Sequence, residues 1–259
     1  MKDLGNLHFF LGVEVKNFDG GIHLSQSKYV VELLDKNEMT FAKAISTPLA
    51  QKHGIHEVVG ILVETSFYKM IVGSLQYLTL TRPNIIHVVN LASQFMQNPN
   101  SAHLQGVKRI LKYIKDTLHF GLRLISQSPC RLYGYSDADW GGCTTTRRST
   151  TGYSIYLGAN CIYWTSKKQS TVARSSAEAE YRALASTASE MTLIMYLLHD
   201  LGVFFPICTY IVAKGQRVTQ FVRSKNQLAD IHTKALTIQV FVESRRKLGF
   251  TVPRLTSLR

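Results

Sequence analysis

The chain has 259 residues, 45% of them apolar, which is enough for one large or two ordinary domains with a real core. Thirty Lys and Arg against 17 Asp and Glu leave a formal charge of +13, which favours nucleic-acid or anionic-surface partners, or marks a basic protein without either. No apolar run is long enough to span a bilayer and no secretory signal opens the chain, so no membrane partner is expected; the four cysteines form no CxxC pair, which argues against a zinc or disulfide framework and for an intracellular, reducing compartment, cytoplasm or nucleus.

From the N-terminus, Leu7, Phe9, Leu11, Val13 and Val15 alternate with His8, Phe10, Gly12, Glu14 and Lys16, the period of a half-buried strand. Asp19-Gly20-Gly21 signals a turn, with Ile22, Leu24 and Gln26 continuing as the hairpin partner. Ser27 can cap a short helix through Tyr29, Val30, Leu33 and Leu34. The pattern is lost from Thr47-Pro48 to about Glu64, which suggests a linker. Three helices follow. The first carries Phe67, Ile71, Leu75 and Leu78 on one stripe, and the second begins at Arg82-Pro83, where a missing N–H costs little. The third starts after Ser101, turns Leu104, Val107, Leu111, Ile114 and Leu118 inward and ends near Gly121. Lys108, Arg109, Lys112 and Lys115 leave its other side, as a solvated face or as phosphate contacts.

Composition then shifts to strands. Leu132 to Trp140, Gly152 to Ala159 and Cys161 to Ser166 read as three consecutive antiparallel strands, followed by a long helix from about Ser175 to Leu201. Arg217 to Val222 reads as a further strand and Asn226 to about Leu236 as a helix. The pattern is mixed α/β, or α+β.

The strand YSDADWGG, Tyr135 to Gly142, looks central to its sheet yet carries Asp137 and Asp139, which share one face. Burying carboxylates is costly without a partner. On the long helix, Glu178 lies four residues before Arg182 and reads as an exposed ion pair. Glu180 heads the stripe Leu184, Met191, Met195 and Leu198 and should face the sheet. Asp230 opens another helix, as a cap or as a further member of the acidic site. Carboxylates converging from a strand and two helices repel unless a cation neutralises them. Mg²⁺ suits such oxygen donors and keeps waters for a substrate phosphate.

The strings MKDLGNLHFFLGVEV, HLSQSKYVVELL, YKMIVGSLQYLTLTRPNI, VKRILKYIKDT, YSDADWGG, RRSTTGYSIYLG, WTSKKQSTVARSSAEAEYRAL and QLADIHTKAL follow one another in the order of copia-type retrotransposon Pol polyproteins, and the chain resembles that family over almost its whole length. The resemblance implies a remnant of the reverse-transcriptase palm hairpin over 1–46, a helical thumb and connection over 47–127, and an RNase H-like domain with a mixed sheet over 128–259, truncated by an internal deletion near 206–214. It implies cleavage of RNA in RNA–DNA hybrids with Mg²⁺ or Mn²⁺, and other parts of the polyprotein as partners. By the same resemblance Asp137, Glu180 and Asp230 match the catalytic, metal-holding acids; Asp139 has no catalytic role in that pattern and reads as a local hydrogen-bonding residue or a support to the acids. Lys167, Lys168, Gln169, Arg174 and Ser175 lie where backbone contacts to the hybrid are expected, read by shape and charge.

Two departures from the family pattern bear on activity. The polymerase aspartates belong upstream of the palm strand, so no polymerase site is expected here. After the long helix, Pro206 leads through ICTYIVA to KGQRVTQFVRS with no Asp or Glu between Asp200 and Asp230, so the family's strand ending in a further aspartate is missing. Ile207 to Ala213 could pair in its place, but Lys214-Gly215 is too short for a parallel crossover, which needs about a dozen residues. A hairpin with Arg217 to Val222 is the expected alternative. The sequence thus points to a Pol fragment with an impaired RNase H site, with a non-catalytic nucleic-acid-binding remnant and a decaying element copy as alternatives.

Overall fold

The computed structural model describes residues 5, 7–51, 60–203 and 219–253. In chain order these form β1 (Phe9–Phe10), β2 (Val13–Phe18), β3 (Gly21–Ser25), α1 (Ser27–Lys36), α2 (Thr65–Leu78), α3 (Ile86–Ser93), α4 (Ser101–Asp116) and β4 (Gly121–Ile125). There follow β5 (Leu132–Asp139), β6 (Thr150–Leu157), β7 (Asn160–Lys168), α5 (Ser176–Asp200), α6 (Ile238–Lys247) and β8 (Phe250–Thr251). The class is mixed α/β, as the pattern of elements predicts. The chain separates into two units, one drawn from the described residues up to Gln127 together with those from Ala235 onward, the other Ser128–Lys234.

In the first unit, β1, β2, β3, β4 and β8 form an antiparallel sheet in that order. The predicted Asp19-Gly20 turn joins β2 to β3, pairing Phe18 with Gly21. The unbroken strand expected from Leu7 to Lys16 does not form. Leu11 and Gly12 adopt φ of 46° and 74°, two successive left-handed residues that make a tight hairpin turn and leave Phe9 and Phe10 exposed. Tyr77 steadies that turn, its hydroxyl donating to the Leu11 carbonyl at 2.5 Å.

Ser27 is the first residue of α1, not its cap; its hydroxyl donates to the Leu118 carbonyl. Helices α2 to α4 form as the apolar stripes predict and bury Tyr68, Ile71, Leu75, Leu78, Ile110 and Leu111. Asn100 starts α4 with a capping box, accepting from His103 N while the His103 ring bonds its own N–H. Pro83 opens a short 3-10 turn into α3, as expected of its position. Next to it, Arg82 is fully buried. Its guanidinium donates to Thr117 Oγ1 and the Thr117 carbonyl, both at 2.8 Å, and to the Leu118 carbonyl, so it closes the C-terminal end of α4. Helix α6 and β8 complete this unit. Phe250 pairs with Leu122 in the sheet, and Arg245 donates to the Tyr113 hydroxyl at 3.2 Å.

In the second unit, β5, β6 and β7 form the predicted antiparallel meander. Among the described residues β5 lies at its edge rather than its centre, and both sheets of the protein are antiparallel rather than mixed. The segments read as Ile207 to Ala213 and its link, and the deletion near 206–214, lie outside the described residues; of the strand read as Arg217 to Val222, Thr219–Val222 are described and form none. Helix α5 starts under its Ser175 cap and packs on β5 and β6. Its buried stripe is Ala179, Ala183 and Thr187, one position from the stripe expected, so Glu180 flanks the buried line and remains exposed. Ala138, Ala173, Ala179 and Ala183 cluster there, and such small side chains let helix and strand approach closely. Leu132, Tyr153 and Ile155 with Met191, Ile194 and Met195 fill the far end.

Candidate functional site

The acids of YSDADWGG sit on β5 opposite a glycine. Asp137 pairs in register with Gly152 of β6, and Asp139 pairs with Thr150. A Cβ at Gly152 would lie 2.6 Å from Thr233 Cγ2 and 2.7 Å from His232 Cβ. Absence of a side chain there is what lets residues 228–233 rest on the strand pair beside Asp137. That stretch is a 3-10 turn over Leu228–His232, not the α-helix expected from Asn226 to Leu236. Gln227 explains the difference. Its side chain accepts from Ala229 N and donates to the Ser136 carbonyl at 3.0 Å, tying the turn to the outer edge of β5.

The turn delivers three polar groups. Thr233 Oγ1 donates to Asp137 Oδ2 at 2.5 Å. Lys234 Nζ lies 2.9 Å from Asp230 Oδ1 and 3.9 Å from Asp137 Oδ2. From the other side, the Glu180 carboxylate accepts the backbone N–H of Ala138. The sequence-predicted acids Asp137, Glu180 and Asp230 therefore come within electrostatic range of one another. Although the residue is exposed overall, partial burial of its carboxyl pushes the Glu180 pKa up, and the Asp137 charge adds to it against the Ala138 bond. Asp230 and Asp139 are likewise raised, by burial first, with Lys234 opposing and Asp137 reinforcing. Burial works against the Lys234 ammonium, but Asp230, Asp137 and Asp139 together lift its pKa.

In donor chemistry the three carboxylates suit a hard divalent ion. In spacing they do not close on one: among the described residues no group of three or more His, Cys, Asp or Glu is placed to hold a metal. The positive charge between Asp137 and Asp230 is that of Lys234. Gln227, Gly152, Thr233 and Lys234 escaped the sequence reading. Only Lys234 had a local signal, its position four residues after Asp230.

The basic residues divide by use. On α4, Lys108 is exposed and Lys112 half-buried, while Arg109 donates to Thr47 Oγ1 and Lys115 to the Ala42 carbonyl. Helix α4 belongs to the first unit and the acidic strand to the second. Lys167 is exposed, and Lys168 donates to Cys143 Sγ at 3.0 Å. Burial alone would raise the Cys143 thiol, but the Lys168 and Thr146 bonds hold it down at about 7. Gln169 is buried, its amide donating to Thr151 Oγ1 and the Ala179 carbonyl, which fixes the start of α5 to the sheet. Arg174 is exposed, with its backbone N–H on Glu178, and Ser175 caps α5 by accepting from Glu178 N. Glu178 and Arg182 form the expected ion pair, at 2.6 Å.

The chain is similar to a retrovirus-related Pol polyprotein from transposon RE1 of Arabidopsis thaliana, at 40% identity over 285 residues that cover 97% of this chain and 19% of the polyprotein. The Pol polyprotein from transposon TNT 1-94 of Nicotiana tabacum is 37% identical over 213 residues, 78% of this chain and 16% of its own length. An uncharacterized mitochondrial protein of Arabidopsis thaliana is 46% identical over 192 residues, 74% of this chain and 80% of that protein. This chain thus spans about a fifth of the RE1 polyprotein, 19% of its length. No family model and no solved structure matches.

Proposed function

Because the chain belongs to the retrovirus-related Pol polyproteins of copia-type transposons, we propose that its second unit is an RNase H-type nuclease portion, acting weakly on the RNA strand of RNA–DNA hybrids. The observation that carries the proposal is the convergence of Asp137, Glu180 and Asp230 from a strand, a helix and a turn. In donor chemistry those three residues suit Mg²⁺ or Mn²⁺, but they would have to draw closer together to hold one. When bound, such an ion neutralises charge that develops on a phosphodiester during hydrolysis. The chain's own contribution is positional. Thr233 orients the Asp137 carboxylate, the Ala138 N–H orients Glu180, and Gln227 anchors the turn that bears Asp230. The +13 charge supports a polyanionic substrate. Weak activity follows from an acid cluster that lacks a closed group of three ligands among the described residues. Incubation of the purified chain with an end-labelled hybrid and Mn²⁺ should give slow cleavage that Asp137→Asn abolishes. Cleavage indifferent to that substitution would refute the assignment.

A second reading, a non-catalytic nucleic-acid-binding remnant, is favoured by one observation: Lys234 already neutralises two of the acids. Under it, hybrid binding persists in Asp137→Asn, weakens steeply with added salt, and is never accompanied by cleavage.

A further inference from the structure

In the second unit a thiol and an amine meet outside the acidic cluster. Cys143 lies in the loop between β5 and β6, Lys168 is the last residue of β7, and Sγ and Nζ are 3.0 Å apart. Backbone bonds fix both partners. The Cys143 carbonyl accepts from Arg147 N at 2.7 Å, and the Cys143 N–H donates to the Arg148 carbonyl at 3.3 Å, closing the loop on itself. Lys168 pairs in register with Thr150, and Gln169 N donates to the Ser149 carbonyl at 2.8 Å. The fold itself therefore builds the contact, rather than the reach of a loose lysine chain. Against burial, the bonds from Lys168 and from the Thr146 hydroxyl hold the thiol at about 7, so about half of it is thiolate at neutral pH, the form that attacks peroxides. Cys143 is 5% exposed beneath the exposed Thr144, Thr145, Thr146 and Arg147, which shields it from large reagents. Oxidised thiols ordinarily condense with a second thiol. Cys161 is seven residues from Lys168 along β7, about 23 Å, and Cys130 precedes β5 at that same far end of the sheet. The nucleophile at contact distance is the Lys168 amine.

We propose that Cys143 and Lys168 form a peroxide-driven covalent latch, a sulfenamide bond between Sγ and Nζ. Hydrogen peroxide gives one oxygen to the thiolate as its O–O bond breaks, leaving sulfenic acid and, with a proton from solvent, water. The Lys168 amine, its extra proton lost to solvent, then attacks Sγ. The S–N bond forms, the S–O bond breaks, and the departing hydroxide takes the proton released by the amine and leaves as water. In sum a thiol, an amine and a peroxide become a sulfenamide and two waters, with sulfur oxidised and peroxide reduced by two electrons. Contact makes the second step intramolecular, so it outruns further oxidation by dilute peroxide. A thiol reductant reverses the link. Latching ties the β5–β6 loop to β7 and removes the Lys168 ammonium, which stands across Thr150 from Asp139.

The full chain, treated with equimolar hydrogen peroxide, digested and analysed by mass spectrometry, should yield Cys143 joined to Lys168, with a mass two hydrogens below the sum of the separate peptides. Dithiothreitol should release them. In Lys168→Arg, whose guanidinium still offers a hydrogen bond but is no nucleophile at neutral pH, the link should be lost and dimedone should capture Cys143 sulfenic acid instead. Should that variant fail to fold, the parent chain decides alone: in urea, where the contact is gone, the link should not form. Cys143 in the folded parent oxidised without attachment to Lys168, or paired in a disulfide, overturns the latch, as does an equal yield of link in urea. Neither readout is hybrid cleavage, so the latch stands or falls separately from the nuclease reading.

Discussion

Gly152→Ala tests how the site is built. The added methyl would sit 2.6 Å from Thr233 Cγ2, 2.7 Å from His232 Cβ and 3.0 Å from the His232 carbonyl carbon. Carbon atoms in contact prefer about 3.5–4.0 Å, so the turn has to retreat by roughly 1 Å. Such overpacking costs about 1–3 kcal/mol. A retreat of that size also breaks the bond from Thr233 to Asp137, now 2.5 Å long, and a bond to a charged group contributes about 1.5–3 kcal/mol. Alanine returns only about 0.5–1 kcal/mol through the reduced freedom of the unfolded chain. The net expectation is a loss of about 2–5 kcal/mol. The protein has two tryptophans, Trp140 and Trp164, both in the second unit, so their fluorescence during urea unfolding reports on that unit alone. Gly134→Ala on β5 is the control. Its methyl would meet the side chains of Thr187 and Met191 at 3.4 and 3.5 Å and the Ser154 carbonyl at 3.2 Å, and should change stability by less than about 1 kcal/mol. A Gly152→Ala chain as stable as the parent would refute the close packing of the turn on β6.

Glu180→Gln should stabilise the second unit at neutral pH by up to ~1 kcal/mol, a figure held down by solvent screening, while impairing hybrid cleavage. The sign follows from a carboxyl raised above 4.5 in the fold: the folded state holds protons that the unfolded chain releases, so this contribution falls as pH rises past 4.5, and fluorescence-detected unfolding at pH 5 and 7 checks it. His23 in the first unit acts oppositely. It is buried, its Nε2 3.1 Å from the Thr251 carbonyl, with Lys16, Glu14 and Arg123 facing it, and burial lowers its pKa below 6.5. The unfolded chain therefore gains protons that the fold refuses, and stability drops as pH falls below 6.5, a slope that His23→Gln should flatten in circular-dichroism titrations. Arg82→Lys keeps the charge but loses the fork that reaches Thr117 and Leu118 together, and should cost about 2–4 kcal/mol by urea unfolding.

Elements with a long period were legible in the sequence. Helices α2, α4 and α5 and the β5–β7 meander carry repeated apolar positions or dense β-formers, and each forms within a few residues of its expected bounds. The failures have local causes. Leu11 adopts a positive φ that its side chain disfavours, so only Gly12 hinted at a turn inside an alternating run. Gln227 replaces a backbone ladder with side-chain bonds, which leave no periodicity to read. Strand β8 is two residues long and has meaning only against β4, far away in sequence. At the site, Asp137 and Glu180 were nameable because acids on a strand and beside a buried helical stripe demand an explanation. Their supports, Gly152 and Thr233, are ordinary residues whose importance comes from who stands next to them.

The division of the chain has a consequence for its synthesis. The second unit is an uninterrupted stretch, Ser128–Lys234, so all of its contacts are available once that stretch has left the ribosome. The first unit closes only when Phe250 reaches Leu122 and Arg245 reaches Tyr113. Until then Arg82 lacks the Phe250 ring that lies 5.2 Å from it, and the outer edge of β4 is bare. Earlier in sequence is here later in folding: the unit that begins the chain must keep an open sheet edge, with the aggregation hazard such edges carry, while the whole of its neighbour is made.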